Sequence, residues 1–204
     1  MTKQRTALFA ITFAASVILG GCGQVKYPTY YTLHLPSPPD PPPGPQVHAS
    51  IAVREFRSPG YLHQGPVVYR PSPEEIGFYN YYRWAADPRQ TVTTAIADRL
   101  RASGNFAEVT RYDGRSNVDY ILSGRLEKLE EVDYDGGVKV EVELSAQMTN
   151  LRTGAIVWTS SASDTENVAQ RNIPAVVTEM SFTMDRAIEK LLSSMPASQL
   201  QSSR

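Results

Sequence analysis

The residue with the most distinctive chemistry is Cys22, the only cysteine in the chain. A single thiol excludes an intramolecular disulfide and any multi-cysteine zinc or iron–sulfur site. The three histidines, His34, His48 and His63, all fall in proline-rich sequence in the first third. Such sequence is a poor frame for catalytic geometry. No Gly-x-Ser-x-Gly elbow occurs, the nearest run being Leu122-Ser123-Gly124-Arg125, and no glycine-rich phosphate loop follows a strand. Acids cluster at Glu127, Glu130, Glu131, Asp133 and Asp135. Asp133-x-Asp135-Gly136 resembles the start of a calcium loop, but the acid that should close it would fall at Leu144. The expectation is a solvated hairpin whose charges discourage edge pairing. Neither a metal nor a cofactor is expected, and no residue is assigned a catalytic role. The remaining signal is aromatic: Phe78, Tyr79, Tyr81, Tyr82 and Trp84, with Arg83 among them. Of these, Tyr79, Tyr81, Tyr82, Arg83 and Trp84 are the candidate partner-binding residues, because buried rings and arginines carry most interface energy. The same rings suit core packing or a membrane interface.

Cys22 gains meaning from what precedes it. Lys3 and Arg5 are followed by an apolar run over residues 7–19, broken only by Thr12 and Ser16. The run is shorter than the roughly 20 residues that span a bilayer core. A basic start and a short apolar centre mark an export signal. Its end, Leu19-Gly20-Gly21-Cys22, resembles the bacterial lipobox, in which the thiol is lipidated, the chain is cut before the cysteine, and the new amine is acylated. Cys22 is therefore the expected lipid (palmitate-type) attachment site, anchored by about 0.8 kcal/mol per buried CH₂. By resemblance to enterobacterial sorting, where aspartate in the position after the cysteine retains the protein in the inner membrane, Gly23 permits the outer membrane.

Composition sets the outer bounds. The chain has 204 residues, a formal net charge of −1 and 41% hydrophobic residues. Such a balance gives no reason to expect nucleic acid as a partner, and the apolar content suits a folded domain. The expected organisation is a signal peptide over residues 1–21 and a lipidated N-terminus with a short strand and Pro-rich segment over 22–46. A folded domain over 47–196 and a polar tail over 197–204 complete it.

The elements follow from periodicity. Residues 27–35 suit a short strand, and seven prolines within residues 36–45 predict a polyproline II spacer of about 31 Å. Residues 47–56 read as a buried strand, and residues 58–82 as a loop-rich stretch with short strands near 67–69 and 78–84. Asp87-Pro88 opens a helix, with Val92, Ala95, Ile96 and Leu100 on one face and Gly104 at its end. Short strands are expected over 106–111 and 118–129. Residues 138–149 alternate strictly, Val138, Val140, Val142, Leu144, Ala146 and Met148 against polar partners. That pattern requires one face on a core and one in water. Asp135-Gly136-Gly137 supplies the hairpin turn before it. A strand over 155–159 and an amphipathic helix over 173–195 follow. The expected fold class is α+β: one antiparallel-rich sheet with two helices on one face, after a lipidated signal and a Pro-rich tether.

The order of these pieces is similar to the ABC-type transport auxiliary lipoprotein family. The resemblance rests on the lipobox, Tyr30-Tyr31-Thr32-Leu33, Ile51-x-Val53-x-x-Phe56, Tyr81-Tyr82-Arg83-Trp84 with Asp87-Pro88, and Thr153-Gly154-x-Ile156-Val157-Trp158. It implies a non-catalytic lipoprotein, fixed in the outer membrane and facing the periplasm. Its implied partners are a mammalian-cell-entry (MCE) substrate-binding protein and the ABC permease and ATPase, and its implied cargo is lipid or another hydrophobic solute. Whether it is a homo-oligomer stays open. The alternatives are an activator of a peptidoglycan synthase, a component of a secretion assembly, or a periplasmic hydrolase.

Overall fold

The computed structural model describes residues 26–40, 49–115, 117–134 and 136–195. The signal segment, Cys22, the later prolines of the Pro-rich run and the polar tail lie outside the described residues.

The framework is built on the alternating strand. β7 (Lys139–Asn150) buries Val140, Val142, Leu144, Ala146 and Met148 in turn. It pairs antiparallel with β6 (Tyr120–Val132) on one side and β8 (Ile156–Asn167) on the other. β6 has thirteen residues, long enough to carry different neighbours at its two ends. Along its other edge its start pairs parallel with β2 (Ser50–Val53), and its end pairs parallel with β3 (Pro66–Ser72). The sheet therefore forks at β6. One wing continues from β2 to parallel β5 (Glu108–Arg111). The other continues from β3 to antiparallel β4 (Glu75–Trp84) and then to parallel β1 (Thr29–Tyr31). The eight-stranded sheet is mixed, with its longest ladders antiparallel.

Both helices are capped as their sequences dictate. α1 (Pro88–Ala102) starts at Asp87, whose carboxylate accepts the Arg89 amide at 2.9 Å, with Pro88 in the first turn. α2 (Ile173–Ser193) starts at Asn172, whose side-chain oxygen accepts the Ala175 amide at 3.0 Å. The α1 stripe of Val92, Ile96, Ala97 and Leu100 and the α2 stripe of Val177, Met180, Met184, Ile188 and Leu191 enter one core with the inner faces of β2, β6 and β7. The two helices are bridged by the Arg99–Asp185 ion pair. α2 is tied to β8 by Arg186 Nε, 2.6 Å from Asp164 Oδ2, and by Lys190 on the same carboxylate.

Two expectations change. β8 runs eight residues past Thr159, because its later side chains are satisfied by ion pairs with α2 instead of by apolar burial. Thr29–Tyr31 belongs to the sheet and Leu33 to the core, so the stretch expected before the domain is partly inside it. The backbone of His34 then donates to Ser181 Oγ of α2 at 3.1 Å, and residues 33–38 run along α1.

Candidate functional site

The aromatic cluster forms where the β3–β4 ladder loses register. Val68 pairs with Phe78, and Pro66 with Arg83, so β4 advances five residues while β3 advances two. Such bulges bend a strand and re-aim its side chains. Here the extra residues bring out Tyr79, Tyr81 and Tyr82. The Tyr79 ring lies 4.8 Å from that of Tyr69 and 5.7 Å from that of Tyr82, which is 6.2 Å from Tyr31. These spacings are those of favourable tilted aromatic pairs. Gly77 makes room for the stack: a Cβ there would stand 2.2 Å from the Tyr69 ring.

The five residues singled out from sequence have different fates. Trp84 is 7% exposed and belongs to the main core. Tyr79 is half-buried, and its hydroxyl donates to Glu131 Oε2 at 2.9 Å. Arg83 donates from Nη2 to the Gln64 carbonyl at 3.0 Å, holding the turn before β3. Tyr82 is partly buried between Tyr31 and Tyr79. Tyr81 is 40% exposed, and the Lys26 ammonium lies 4.5 Å above its ring. Beside it on the surface stand Tyr30 and Tyr27, which sequence reasoning assigned only to a strand. Their signal was available in the run Tyr27-x-x-Tyr30, but only the pairing of β1 with β4 joins it to Tyr81.

Behind the rings lies a correction to the acidic hairpin. Glu130 and Glu131 are buried, not solvated. Glu130 takes Arg70 Nε at 2.7 Å and Nη2 at 3.1 Å, a two-point pairing suited to a planar guanidinium. Tyr61 Oη lies 3.5 Å from Glu130 Oε2 and donates to the Glu127 carbonyl at 3.3 Å. Burial raises the Tyr61 hydroxyl above its ordinary range, and Glu130 adds to the effect. Burial also raises the Glu131 carboxyl, partly offset by the Tyr79 hydrogen bond. Burial and that same bond push the Tyr79 hydroxyl up. Each of these polar groups is thus spent on a neighbour, and none meets a second acid across an open cleft. The Glu127 carboxylate is taken up separately, by Arg125 and Ser145. Among the described residues no three Asp, Glu, His or Cys side chains converge as metal ligands would.

Open depressions among the described residues include one of about 590 Å³ beside the β6–β7 turn, lined by Asp133, Tyr134, Val168 and Arg171, and two more over the sheet and beside α1. One of about 330 Å³ lies over the polar face of the sheet, lined by Arg54, Arg57, Arg125, Ser145 and Gln147. The other, about 450 Å³, lies between α1 and residues 33–38. The latter has His34, Thr91 and Asp98 along its lining. Among the described residues no helix is long and apolar enough to cross a membrane.

The described residues thus form a forked α+β sheet with tyrosine rings on its surface and buried acids paired with neighbouring side chains. The chain belongs to the ABC-type transport auxiliary lipoprotein component family, whose profile matches residues 31–191. No curated protein sequence matches it. In structure it is similar to protein XCC0632 from Xanthomonas campestris, at a TM-score of 0.70 and 18% identity, over 79% of this chain and 91% of that one. It is also similar to the hypothetical protein CT253 from Chlamydia trachomatis, at a TM-score of 0.50 and 7% identity, over 72% and 95% respectively. At these identities the likeness shows the fold.

Proposed function

We propose that this chain is an outer-membrane-anchored, periplasm-facing, non-catalytic auxiliary of an ABC transport system of the MCE type, helping lipid or another hydrophobic solute pass between membranes. The mature protein begins at Cys22, which carries the lipid. The observation that carries this reading is the family match joined to the Leu19-Gly20-Gly21-Cys22 signal, which stands only seven residues before β1. The pairing of the buried acids with Arg70, Tyr61 and Tyr79 supports a role without turnover.

Partner capture falls to the accessible part of the β4 bulge. Tyr82 presents ring surface held in place by Tyr31 and Tyr79, and Arg83 fixes the adjoining turn, while the more exposed Tyr81 ring lies under Lys26. Pre-set rings lose little entropy on docking. Trp84 serves this surface from beneath, as core.

The test is affinity capture of the acylated protein from membranes after mild cross-linking, with mass spectrometry of what accompanies it. An MCE-domain protein with its permease and ATPase is the expected catch, reduced by Tyr82→Ala. A peptidoglycan synthase or secretion-pore subunit in their place would overturn the transport reading. Cys22→Ala is expected to move the protein from the membrane to the soluble periplasmic fraction.

A further inference from the structure

The rings that face outward at the β1–β4 edge sit close to the expected anchor. Thr29 is seven residues from Cys22 and Tyr27 is five. At roughly 3.3–3.6 Å per residue, a fully extended chain places Tyr27 within about 18 Å of Cys22, and Thr29 within about 25 Å. A lipidated cysteine lies at the headgroup level, so the domain cannot stand far from the bilayer.

At this edge Tyr27 is 78% exposed, Tyr30 59% and Tyr81 40%. Tyr30 pairs with Arg83, two residues beyond Tyr81 on β4, and Lys26 covers the Tyr81 ring. Tyrosine has an apolar body and a polar tip, and it collects at membrane–water interfaces for that reason. Lys26 adds a cation that anionic headgroups attract. β1 is also a strand of three residues that ends the sheet's strand order among the described residues. The other exposed large apolar residues, Tyr134, Leu151, Ile156 and Phe182, lie on turns, on β8 or on α2, away from this edge.

We propose that Lys26, Tyr27, Tyr30 and Tyr81 form a second membrane contact, which lays the β1–β4 edge on the phospholipid interface beside the anchor. The contact rests on the lipid-anchor reading of Cys22. It need not be strong alone: once the acyl chains are inserted, a short tether holds the edge at millimolar effective concentration near the surface. The domain is thereby oriented, with β7, β8 and α2 turned away from the bilayer and Tyr82 near its plane.

The test uses the full lipidated protein in vesicles of phosphatidylcholine and phosphatidylglycerol. Acylation consumes the only native thiol, so a nitroxide can be placed at Thr29→Cys, Asn80→Cys or, as a distant control on β8, Asn167→Cys. These positions are exposed, so the labels should not disturb the fold. Power saturation with oxygen and a water-soluble nickel complex then reports depth. The expected result is a severalfold rise in the oxygen-to-nickel ratio at positions 29 and 80 on membrane binding, with no change at 167. Tyr27→Ser, Tyr30→Ser and Tyr81→Ser together should return position 80 to its aqueous value while the protein still floats with the vesicles. Aqueous values at 29 and 80 in a protein that floats would overturn the contact and leave the anchor standing. An N-terminal mass without acyl chains would overturn the anchor reading, and this contact with it.

Discussion

Glu130 sits near the end of β6 with no exposure, and its charge is tolerable only because Arg70 reaches it from β3. Removing one partner of a buried pair leaves the other charge stranded, at a cost of about 3–5 kcal/mol, while removing both often costs little. Arg70→Met is therefore expected to lower unfolding free energy by about that amount, and Arg70→Met with Glu130→Met to recover most of it. Urea unfolding of the two variants and the parent checks both statements. Glu131 behaves differently. Its carboxyl is raised on folding by burial, so the folded state holds its proton more tightly than the unfolded chain does. Its contribution is present below the ordinary carboxyl range and is lost as pH rises through the raised value. Asp119 is lowered mainly by hydrogen bonds from Ser50, while Asp87 and Asp164 are lowered because bonds from Arg89, and from Lys190 and Arg186, outweigh burial. These three act oppositely, contributing above the ordinary range and losing it as pH falls. Glu131→Gln is thus expected to remove a loss of stability on the alkaline side of that range and to leave the acid-side loss intact. Melting temperature followed from mildly acid to neutral pH reads the difference.

At the scale of elements, the fork in the sheet depends on close approach. Phe56 follows β2 and lies against Gly124 of β6, where a Cβ would stand 2.3 Å from its ring. Leu126 donates its amide to the Arg57 carbonyl at 2.8 Å, so the backbone has little room to yield. Gly124→Ala is expected to cost about 1–3 kcal/mol through overpacking. In a Phe56→Ala background the same change should cost almost nothing, and a double-mutant cycle by chemical denaturation measures that coupling. Gly124 looked like ordinary strand sequence, since nothing local says which ring will cover it. By contrast β7 was plain from its alternation, and α1 from Asp87-Pro88 with its stripe, because both signals are local and repeat. Ser160 to Asn167 gave no strand signal: of the inward positions Ser160, Ala162, Asp164 and Glu166 only Ala162 is apolar, and it is Ser194, Arg186 and Lys190 of distant sequence that satisfy the other three. The buried acids were hidden for the same reason, their partners lying about sixty residues away on β3 and fifty-two away on β4. The candidate rings were legible as a group, while their division into core, scaffold and surface required the bulge in β4.

At the scale of the whole molecule, the proposed anchor and the core meet at β1. A chain held by its lipid pulls on the strand nearest the tether, and that strand has only three residues at the end of the strand order among the described residues. Behind it the chain is fastened again: Ala85 donates to the Tyr31 carbonyl at 2.8 Å, and the His34 amide to Ser181 Oγ at 3.1 Å. Ser181 itself is secured by donating to the Val177 carbonyl. Under the proposed anchor, load on β1 passes to β4 through their shared ladder and to α2 through the His34 amide. Local stability should rise along that route, lowest at short edges with few buried contacts and highest in the central ladders. Native-state hydrogen exchange is expected to show the amides of residues 29–34 opening well before those of β6 and β7. Ser181→Ala should accelerate His34 alone, by the roughly 0.5–1.5 kcal/mol that one such bond contributes, with the β7 amides unmoved. Uniform acceleration across α2 and β7 would mean that Ser181 supports the core generally and that the N-terminal strap carries no separate load.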